Sequence, residues 1–368
     1  MREFTVAIGE ESLDDVRRRL AATRWIAPTY PEDLGAGASL GFARELAEYW
    51  RESFDWRALE ARINRQPQVL AEIDGLTLHA ICRRSSRPDA MPMLMLHGWP
   101  SSFLEFLDIC DQLAEPPPGE PAFHPVIPSL PGYGFSTTRA GMSPRKIARL
   151  LVELMDQLGF GRFLVQGANW GSTIGTQIAR DFPERLTGLH LNSANAAVPP
   201  PEAGVKLSRE DQALGDRYVT LLSAPHFNLF SQAPLGIAHA LNDSPTGLAA
   251  FLGERLRDWA DPDLPDNPGL SLDWLVGTAA LYWFTGSAGT AGSLYREAVR
   301  DPMPSGFVAV PTAVAHFAAE LVIAPRPWAE RHYNLVRWSQ IDHGGHYAAI
   351  EAPQAFVYDL RSFAKMLG

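Results

Sequence analysis

Several features that would place this chain in other protein classes are missing from its sequence. Its 368 residues include two cysteines, Cys82 and Cys110, which are too few for a disulfide scaffold. No apolar run approaches the roughly 18 residues that a membrane span requires. No apolar signal core follows the N-terminal residues. We therefore expect a soluble, cytoplasmic protein that does not bind a membrane.

Lysine is also scarce. Lys146, Lys206 and Lys365 are the only lysines, and arginine supplies the remaining positive charge. The net charge of −10 offers no basic stripe for phosphates, which argues against nucleic acid as a partner. A hydrophobic content of 46% with 20% charged residues is typical of a globular protein with a full-sized core. The arginine-rich N-terminal segment leaves a homodimer open.

The order of apolar patterns predicts an α/β fold with an inserted helical cap. Residues 1–90 show helical spacing and few strand signals before Ile73, which predicts a helical meander leading into the core. Over 91–196, short apolar runs alternate with helical segments, which predicts a mostly parallel central sheet flanked by helices. Residues 197–304 predict the helical cap, and 305–368 predict the second part of the core. The predicted buried strands include 93–96, 126–127, 163–165, 189–191, 312–315 and 335–338, with helices at 147–158 and 173–182.

The most informative motif is Gly167-Ala168-Asn169-Trp170-Gly171, which follows a strand-like run and precedes a helical segment. In a nucleophile elbow, small residues flank a strained turn that lifts one side chain above the sheet. The following helix directs its positive end at that side chain. An ordinary glycine-rich strand–helix turn has the same form, so the motif alone leaves both interpretations open.

Three further segments favour a hydrolase site. His97-Gly98-Trp99-Pro100 follows a predicted strand, where backbone N–H groups could stabilise a developing negative charge. Glu320 and His346 come after the last two predicted strands. Along the chain, the elbow residue comes first, then the acid and then the histidine. This is the order of an α/β-hydrolase triad.

Taken together, these motifs resemble the microsomal and juvenile-hormone type of epoxide hydrolase and its bacterial relatives. The resemblance extends over nearly the whole chain, from Phe4 to Phe363. It is carried by Arg24-Trp25, Tyr49-Trp50, Asp55-Trp56-Arg57, His97-Gly98-Trp99-Pro100 and residues 128–136, 241–245 and 344–349.

The resemblance implies a two-step reaction. An aspartate in the elbow attacks the epoxide carbon while two cap tyrosines donate hydrogen bonds to the opening oxygen. A histidine oriented by an acid then activates water, which hydrolyses the ester. In this sequence His346 matches the base, Glu320 its acid and Tyr295 one tyrosine, and the backbone N–H groups of Trp99 and Trp170 match the oxyanion hole.

Two positions depart from the family pattern. Asn169 stands where the family has its aspartate, and His226 falls at the second tyrosine, with Tyr218 nearby as another source of the phenol. A carboxylate attacks because it carries charge, whereas a primary amide is neutral. Asn169 is therefore not expected to form the usual ester at a useful rate.

Four interpretations of Asn169 remain open. It is an engineered replacement in an ordinary covalent epoxide hydrolase, or it is hydrolysed to aspartate by the site itself. In the third interpretation, His346 and Glu320 activate water or a substrate nucleophile directly, with Tyr295 and protonated His226 on the epoxide oxygen. A substrate hydroxyl or carbon as nucleophile would make the protein a cyclase or coupling enzyme. In the fourth, catalysis is lost and the pocket only binds a ligand.

The cap aromatics suggest a substrate class. We expect Phe227, Phe230, Trp283 and Tyr218 to line an apolar pocket, although about half of the cap aromatics should pack the cap's own core. The expected partner is a small-molecule epoxide with a bulky apolar or aromatic substituent. No histidine spacing implies a metal, and no dinucleotide fingerprint is present, so no cofactor is expected.

Overall fold

In a computed structural model, the described residues are 1–28, 37–196, 198–199, 203–221, 223–304 and 306–368. Within them, nine strands form one sheet in the order β1-β2-β3-β5-β4-β6-β7-β8-β9. The strands are β1 (Arg2–Phe4), β2 (Gln68–Ile73), β3 (Leu76–Cys82), β4 (Met91–Leu96), β5 (Phe123–Pro128), β6 (Phe163–Gly167), β7 (Leu186–Leu191), β8 (Val308–Phe317) and β9 (Tyr333–Ile341).

The sheet is parallel from β5 through β9 and antiparallel at its N-terminal edge. β5, β4, β6, β7, β8 and β9 pair in parallel, and β1, β2 and β3 pair antiparallel, with β3 joined to β5. The predicted mostly parallel sheet is therefore confirmed. The prediction of an all-helical meander before Ile73 missed β1 and β2. The edge strand β1 carries the exposed charges Arg2 and Glu3, and exposed Glu72 interrupts the apolar residues of β2, so neither strand has the continuous apolar run of a buried strand.

Helices cover both faces of this sheet. α5 and α6 pack together on one face, and α4 and α15 pack on the other. The carboxyl ends of the parallel strands lie along one edge of the sheet. In open α/β sheets, ligand sites form at that edge. The helices are α1 (Glu10–Ala21), α2 (Leu40–Glu52), α3 (Trp56–Asn64), α4 (Leu107–Ala114), α5 (Pro144–Gln157), α6 (Trp170–Asp181), α7 (Arg209–Leu221), α8 (Pro225–Gln232), α9 (Pro234–Asp243), α10 (Pro245–Asp258), α11 (Leu272–Thr285), α12 (Ser287–Arg300), α13 (Arg326–His332), α14 (Ala348–Glu351) and α15 (Pro353–Leu367). In the described part of the chain, no helix is long and apolar enough to cross a membrane.

The cap consists of α7 to α12, which follow β7 and precede β8. Its helices have local start and stop signals. Ser244 and Ser271 accept N-cap hydrogen bonds at the starts of α10 and α11, and Gly286 ends α11 with φ 62°. The residues at the two predicted cap boundaries, 197 and 305, lie outside the described residues.

The N-terminal helices hold the cap from the side. Arg19 of α1 donates to the Asp243 carbonyl at 3.0 Å, and the Thr23 and Thr246 hydroxyls lie 2.6 Å apart. α2 packs against α10 and α11. The N-terminal segment therefore fixes the cap relative to the sheet.

Candidate active site

Asn169 occupies the sharp turn between β6 and α6. Its backbone has φ 52° and ψ −124°, a conformation that residues other than glycine rarely adopt, at a cost of about 1–3 kcal/mol. Gly98 and Gly171 make room for the turn. A Cβ on Gly98 would overlap the Asn169 side chain, and one on Gly171 would overlap the Leu96 carbonyl. This is the geometry of a nucleophile elbow.

The side-chain amide of Asn169 is held at both ends. Its Oδ1 accepts the backbone N–H of Trp99 at 3.2 Å and that of Trp170 at 2.6 Å. Its Nδ2 lies 2.9 Å from Nε2 of His346. The backbone N–H groups that the sequence predicted as oxyanion donors therefore converge on the elbow side chain.

His346 and Glu320 form a buried pair behind the elbow. His346 Nδ1 lies 2.7 Å from Glu320 Oε1, and Glu320 also accepts from the Val322 N–H and the Ser193 hydroxyl. Burial alone would raise the pKa of Glu320, but His346 and these hydrogen bonds outweigh it and lower that pKa. Burial likewise opposes the charged form of His346, and the negative charge of Glu320 outweighs it and raises the His346 pKa.

The loop that carries His346 is fixed by two acids that sequence reasoning did not single out. Asp261 accepts the Gly344 N–H at 2.8 Å, and Glu351 accepts the N–H groups of Tyr347 at 2.8 Å and Asp261 at 2.6 Å. Asp261 lies in the proline-rich joint after α10, so the cap and the histidine loop share hydrogen bonds. A single carboxylate in a loop has no local pattern that would have identified this contact.

Tyr295 lies beside the elbow, as predicted. It is buried on α12, with its ring centroid 4.8 Å from that of Trp170 and 5.8 Å from that of Trp99. Burial raises the pKa of the Tyr295 hydroxyl, partly offset by a hydrogen bond from the Trp170 side chain. The phenol therefore stays protonated at neutral pH and can serve as a hydrogen-bond donor.

His226 lies next to Tyr295, with the two ring centroids 5.8 Å apart. Its ring stacks on Trp99 at 5.2 Å with an interplanar angle of 16°. Burial, followed by the charges of Arg255 and His346, lowers the His226 pKa to about 4. Burial therefore favours the neutral form of His226 at neutral pH, in contrast to the protonated form expected from the sequence.

Known proteins match this chain over its whole length. The family model described as the epoxide hydrolase N terminus matches residues 1–106, and the α/β hydrolase fold model matches residues 91–353. Epoxide hydrolase 1 of Sus scrofa is 32% identical over 411 residues, covering 100% of this chain and 89% of that protein. The chain belongs to the epoxide hydrolase family of the α/β-hydrolase fold.

Solved structures of the epoxide hydrolase family share the whole architecture. The structure of Aspergillus niger epoxide hydrolase has a TM-score of 0.88 and 33% identity, covering 100% of this chain and 96% of the other. Juvenile hormone epoxide hydrolase from Bombyx mori has a TM-score of 0.90 and 28% identity, covering 100% and 94%. The protein is therefore a hydrolase of the epoxide hydrolase type.

A cavity of about 270 Å³ opens in front of the elbow. Of the predicted pocket residues, Phe227 and Tyr218 line it, together with Asn169, Trp170, His226 and Tyr295. Sequence reasoning missed six other lining residues, which are Thr173, Asn195, Leu221, Trp259, Leu321 and Val322. Several of them follow strands or lie in joints, where sequence periodicity carries no signal about a cavity.

Two predicted pocket residues lie outside the lining of this cavity. Phe230 is fully buried behind it, with ring centroids 5.3 Å from Trp99 and 5.4 Å from Tyr295. Trp283 lies on the side of α11 that faces the N-terminal helices, with the Arg19 guanidinium 5.6 Å from its ring centroid. Neither aromatic lines the cavity in front of the elbow, in contrast to the expectation from the sequence.

Tyr218 lines the cavity but belongs to a different cluster from Tyr295. It packs with Ala196, Ala324 and Trp328. The residue beside Tyr295 at the elbow is His226, as the sequence count predicted. Among the described residues, no group of three or more His, Cys, Asp or Glu side chains is arranged to hold a metal ion.

Proposed function

We propose that this hydrolase opens an apolar or aromatic epoxide by direct attack, without an ester on the elbow residue. His346, oriented by Glu320, takes a proton from water or from a nucleophile carried by the substrate. The new C–O or C–C bond forms as the epoxide C–O bond breaks, and Tyr295 donates its proton to the opening oxygen. The proton on His346 then returns to Tyr295 through solvent.

One observation carries this proposal. The Nε2 atom of His346 lies 2.9 Å from the amide nitrogen of Asn169, while its Nδ1 is bonded to Glu320. In the tautomer with the proton on Nδ1, the Nε2 lone pair is directed at the elbow. The base is thus in place where the usual nucleophile, a carboxylate, is replaced by a neutral amide.

The cavity supports an apolar substrate. Its lining includes the apolar side chains of Trp170, Phe227, Trp259 and Leu221, and within the described residues no lining side chain is an aspartate, glutamate, lysine or arginine. A volume of about 270 Å³ is near the lower end of the range of about 300–1,000 Å³ for small-molecule sites. We therefore expect a substituent of one ring system or a short chain.

The contacts of the amide also favour a second route. The two N–H groups on Asn169 Oδ1 would stabilise the tetrahedral intermediate of amide hydrolysis, and His346 is placed to protonate the departing ammonia. Water would then convert Asn169 to aspartate with release of ammonia. The product would be an ordinary covalent epoxide hydrolase.

One experiment separates the two routes. The purified protein and its Asn169→Asp variant are given an aryl epoxide in ¹⁸O-labelled water under single-turnover conditions, with intact mass recorded before and after. Direct attack predicts ring opening by protein of unchanged mass, with solvent oxygen or a substrate atom as the nucleophile. Activity confined to the aspartate form, with the first-turnover oxygen coming from the protein, would rule it out.

A further inference from the structure

Besides the elbow residue Asn169, two polar side chains line the wall of the cavity that the core forms. Thr173 lies one helical turn after Asn169 in α6, and Asn195 follows β7. Both line the cavity, and Asn195 Nδ2 donates to Thr173 Oγ1 at 3.0 Å. The aromatic residues Tyr295 and Phe227 come from the cap and form a different part of the lining. The cavity therefore has a polar patch within reach of the elbow.

This patch is held in place from behind. The Asn195 carbonyl accepts the hydroxyl of buried Tyr333. The Thr176 hydroxyl lies 3.1 Å from the same Tyr333 oxygen, and because the tyrosine proton is used on Asn195, Thr176 is the donor of that bond. The backbone of Asn195 is thus anchored to α6 and β9, so its side chain has a defined position.

The patch also has unused hydrogen-bonding capacity. Within the described residues, the bond from Asn195 Nδ2 to Thr173 Oγ1 leaves the Asn195 Oδ1, its second N–H and the Thr173 hydroxyl proton without a protein partner, and both residues line the cavity. A wholly apolar substrate would remove water from these groups without replacing its hydrogen bonds, which disfavours binding. A substrate with a matching polar group would avoid that loss.

We propose that Asn195 and Thr173 form a specificity subsite for a neutral group of the epoxide substrate that both donates and accepts hydrogen bonds, such as a carboxamide or a hydroxyl. A charged group is disfavoured because the described lining offers it no opposite charge. Thr173 is four residues beyond Asn169, so a helical rise of about 1.5 Å per residue places the patch about 6 Å from the elbow. This backbone spacing is close to the width of one aromatic ring, so we expect the polar group to be separated from the epoxide by about one ring.

This inference rests on the proposed epoxide opening, and matched probes test it. Styrene oxide with a para carboxamide places the group at the required distance, and the para isopropyl compound has the same shape without hydrogen bonds. The measured quantity is the ratio of kcat/KM for the carboxamide to that for the isopropyl probe. Taking this ratio between variants cancels the difference in intrinsic reactivity of the two epoxides.

We expect Asn195→Leu and Thr173→Val to lower this ratio about tenfold, while turnover of the isopropyl probe persists and reports a folded enzyme. Leu321→Ala, a change in the apolar part of the same cavity, should alter both probes alike and leave the ratio unchanged. A ratio that is the same in the wild-type, Asn195→Leu and Thr173→Val proteins would overturn the subsite.

Binding of the two diol products, measured by calorimetry, separates this inference from the proposed function. Weaker binding of the carboxamide diol to Asn195→Leu, with the isopropyl diol unaffected, supports the subsite even if neither epoxide is opened. In that case the proposed reaction is wrong, and the proposed subsite is still supported. Equal changes for both diols would overturn the subsite whatever the catalytic result.

Discussion

The side-chain nitrogen of Asn169 lies 2.9 Å from Nε2 of His346, so the base and the elbow residue are hydrogen-bonded to each other. In an enzyme with aspartate at the elbow, the corresponding oxygen would carry negative charge. Here the neutral amide donates a hydrogen bond to the lone pair of Nε2, and no proton is transferred to the base. Water or a substrate nucleophile must replace this contact before the base can act.

Removal of the base and removal of the elbow side chain should therefore have unequal effects. We expect His346→Ala to abolish epoxide opening, because His346 is the base that contacts Asn169 and is oriented by Glu320. Asn169→Ala should retain a measurable fraction, since under direct attack the amide only positions the reactants. Single-turnover rates with an aryl epoxide check this pair. Loss of all activity in Asn169→Ala, with His346→Ala unaffected, would exclude direct attack.

Tyr295→Phe should slow ring opening by about 10²-fold or more, the usual scale for a positioned acid. The opening oxygen would then lose the donor whose ring packs on Trp170. Tyr218→Phe is the matched control, because that tyrosine lines the cavity in a separate cluster. Equal losses in the two variants would indicate a general packing effect and remove Tyr295 from the mechanism.

The loss of activity on the acid side of the pH profile should follow the protonation of His346. A base must be unprotonated, so activity falls as the pH drops through the His346 pKa, which the charge of Glu320 raises against the effect of burial. Glu320→Gln keeps a hydrogen-bond acceptor but removes the charge, so we expect the acid limb of kcat/KM to move to lower pH. Asp258→Asn, at an exposed ion pair with Arg257, should leave it in place. An unmoved limb in Glu320→Gln would mean that another group controls it.

A buried ion cluster beneath the sheet should stabilise the fold. Asp359 of α15 accepts from Arg337 at 2.6 Å, contacts Ser339 and lies 3.1 Å from His190 Nε2. We expect Asp359→Asn to lower the free energy of unfolding by on the order of 3 kcal/mol, as when one partner of a buried pair is removed. Asp156→Asn, in an exposed pair with Arg185, should change it much less. Urea denaturation at neutral pH measures both.

The Asp359→Asn variant also gives a prediction for the stability of the fold at acidic pH. Burial raises the pKa of Asp359, but the hydrogen bonds and charges around it outweigh burial and lower it below the ordinary aspartate value. Such a group stabilises the fold above its unfolded pKa, and this contribution is lost as the pH falls through the folded pKa. The stability difference between the wild type and Asp359→Asn should therefore shrink in acid. A difference that grows instead would contradict this assignment.

The central sheet and the elbow could be predicted from the sequence because their signals are local. Each predicted buried strand lies inside an observed one, as 163–165 lies within Phe163–Gly167. The order of Asn169, Glu320 and His346 likewise placed three side chains that meet in the structure. Strands β1 and β2 were missed because the pairing of β1 with β2 and of β2 with β3 is specified by tertiary contacts and not by an apolar run.

The cavity was harder to predict than the catalytic group. A helix periodicity does not distinguish an aromatic residue that faces a ligand, such as Phe227, from one that fills space behind it, such as Phe230. Thr173 and Asn195 are common residue types in unremarkable positions, and only the approach of α6 to the end of β7 brings them together. The charge state of His226 depends on burial and on Arg255, which the sequence does not display.

The hydrogen bonds that the cap shares with the histidine loop limit how far the cap can move while substrate enters and product leaves. The backbone N–H of His346 donates to the Trp259 carbonyl at 3.0 Å, and Asp261 holds Gly344. If the cap lifted away, it would pull the base out of line with Asn169. We therefore expect the cap to stay over the elbow while substrate and product exchange, so that the base remains aligned with Asn169 throughout every turnover.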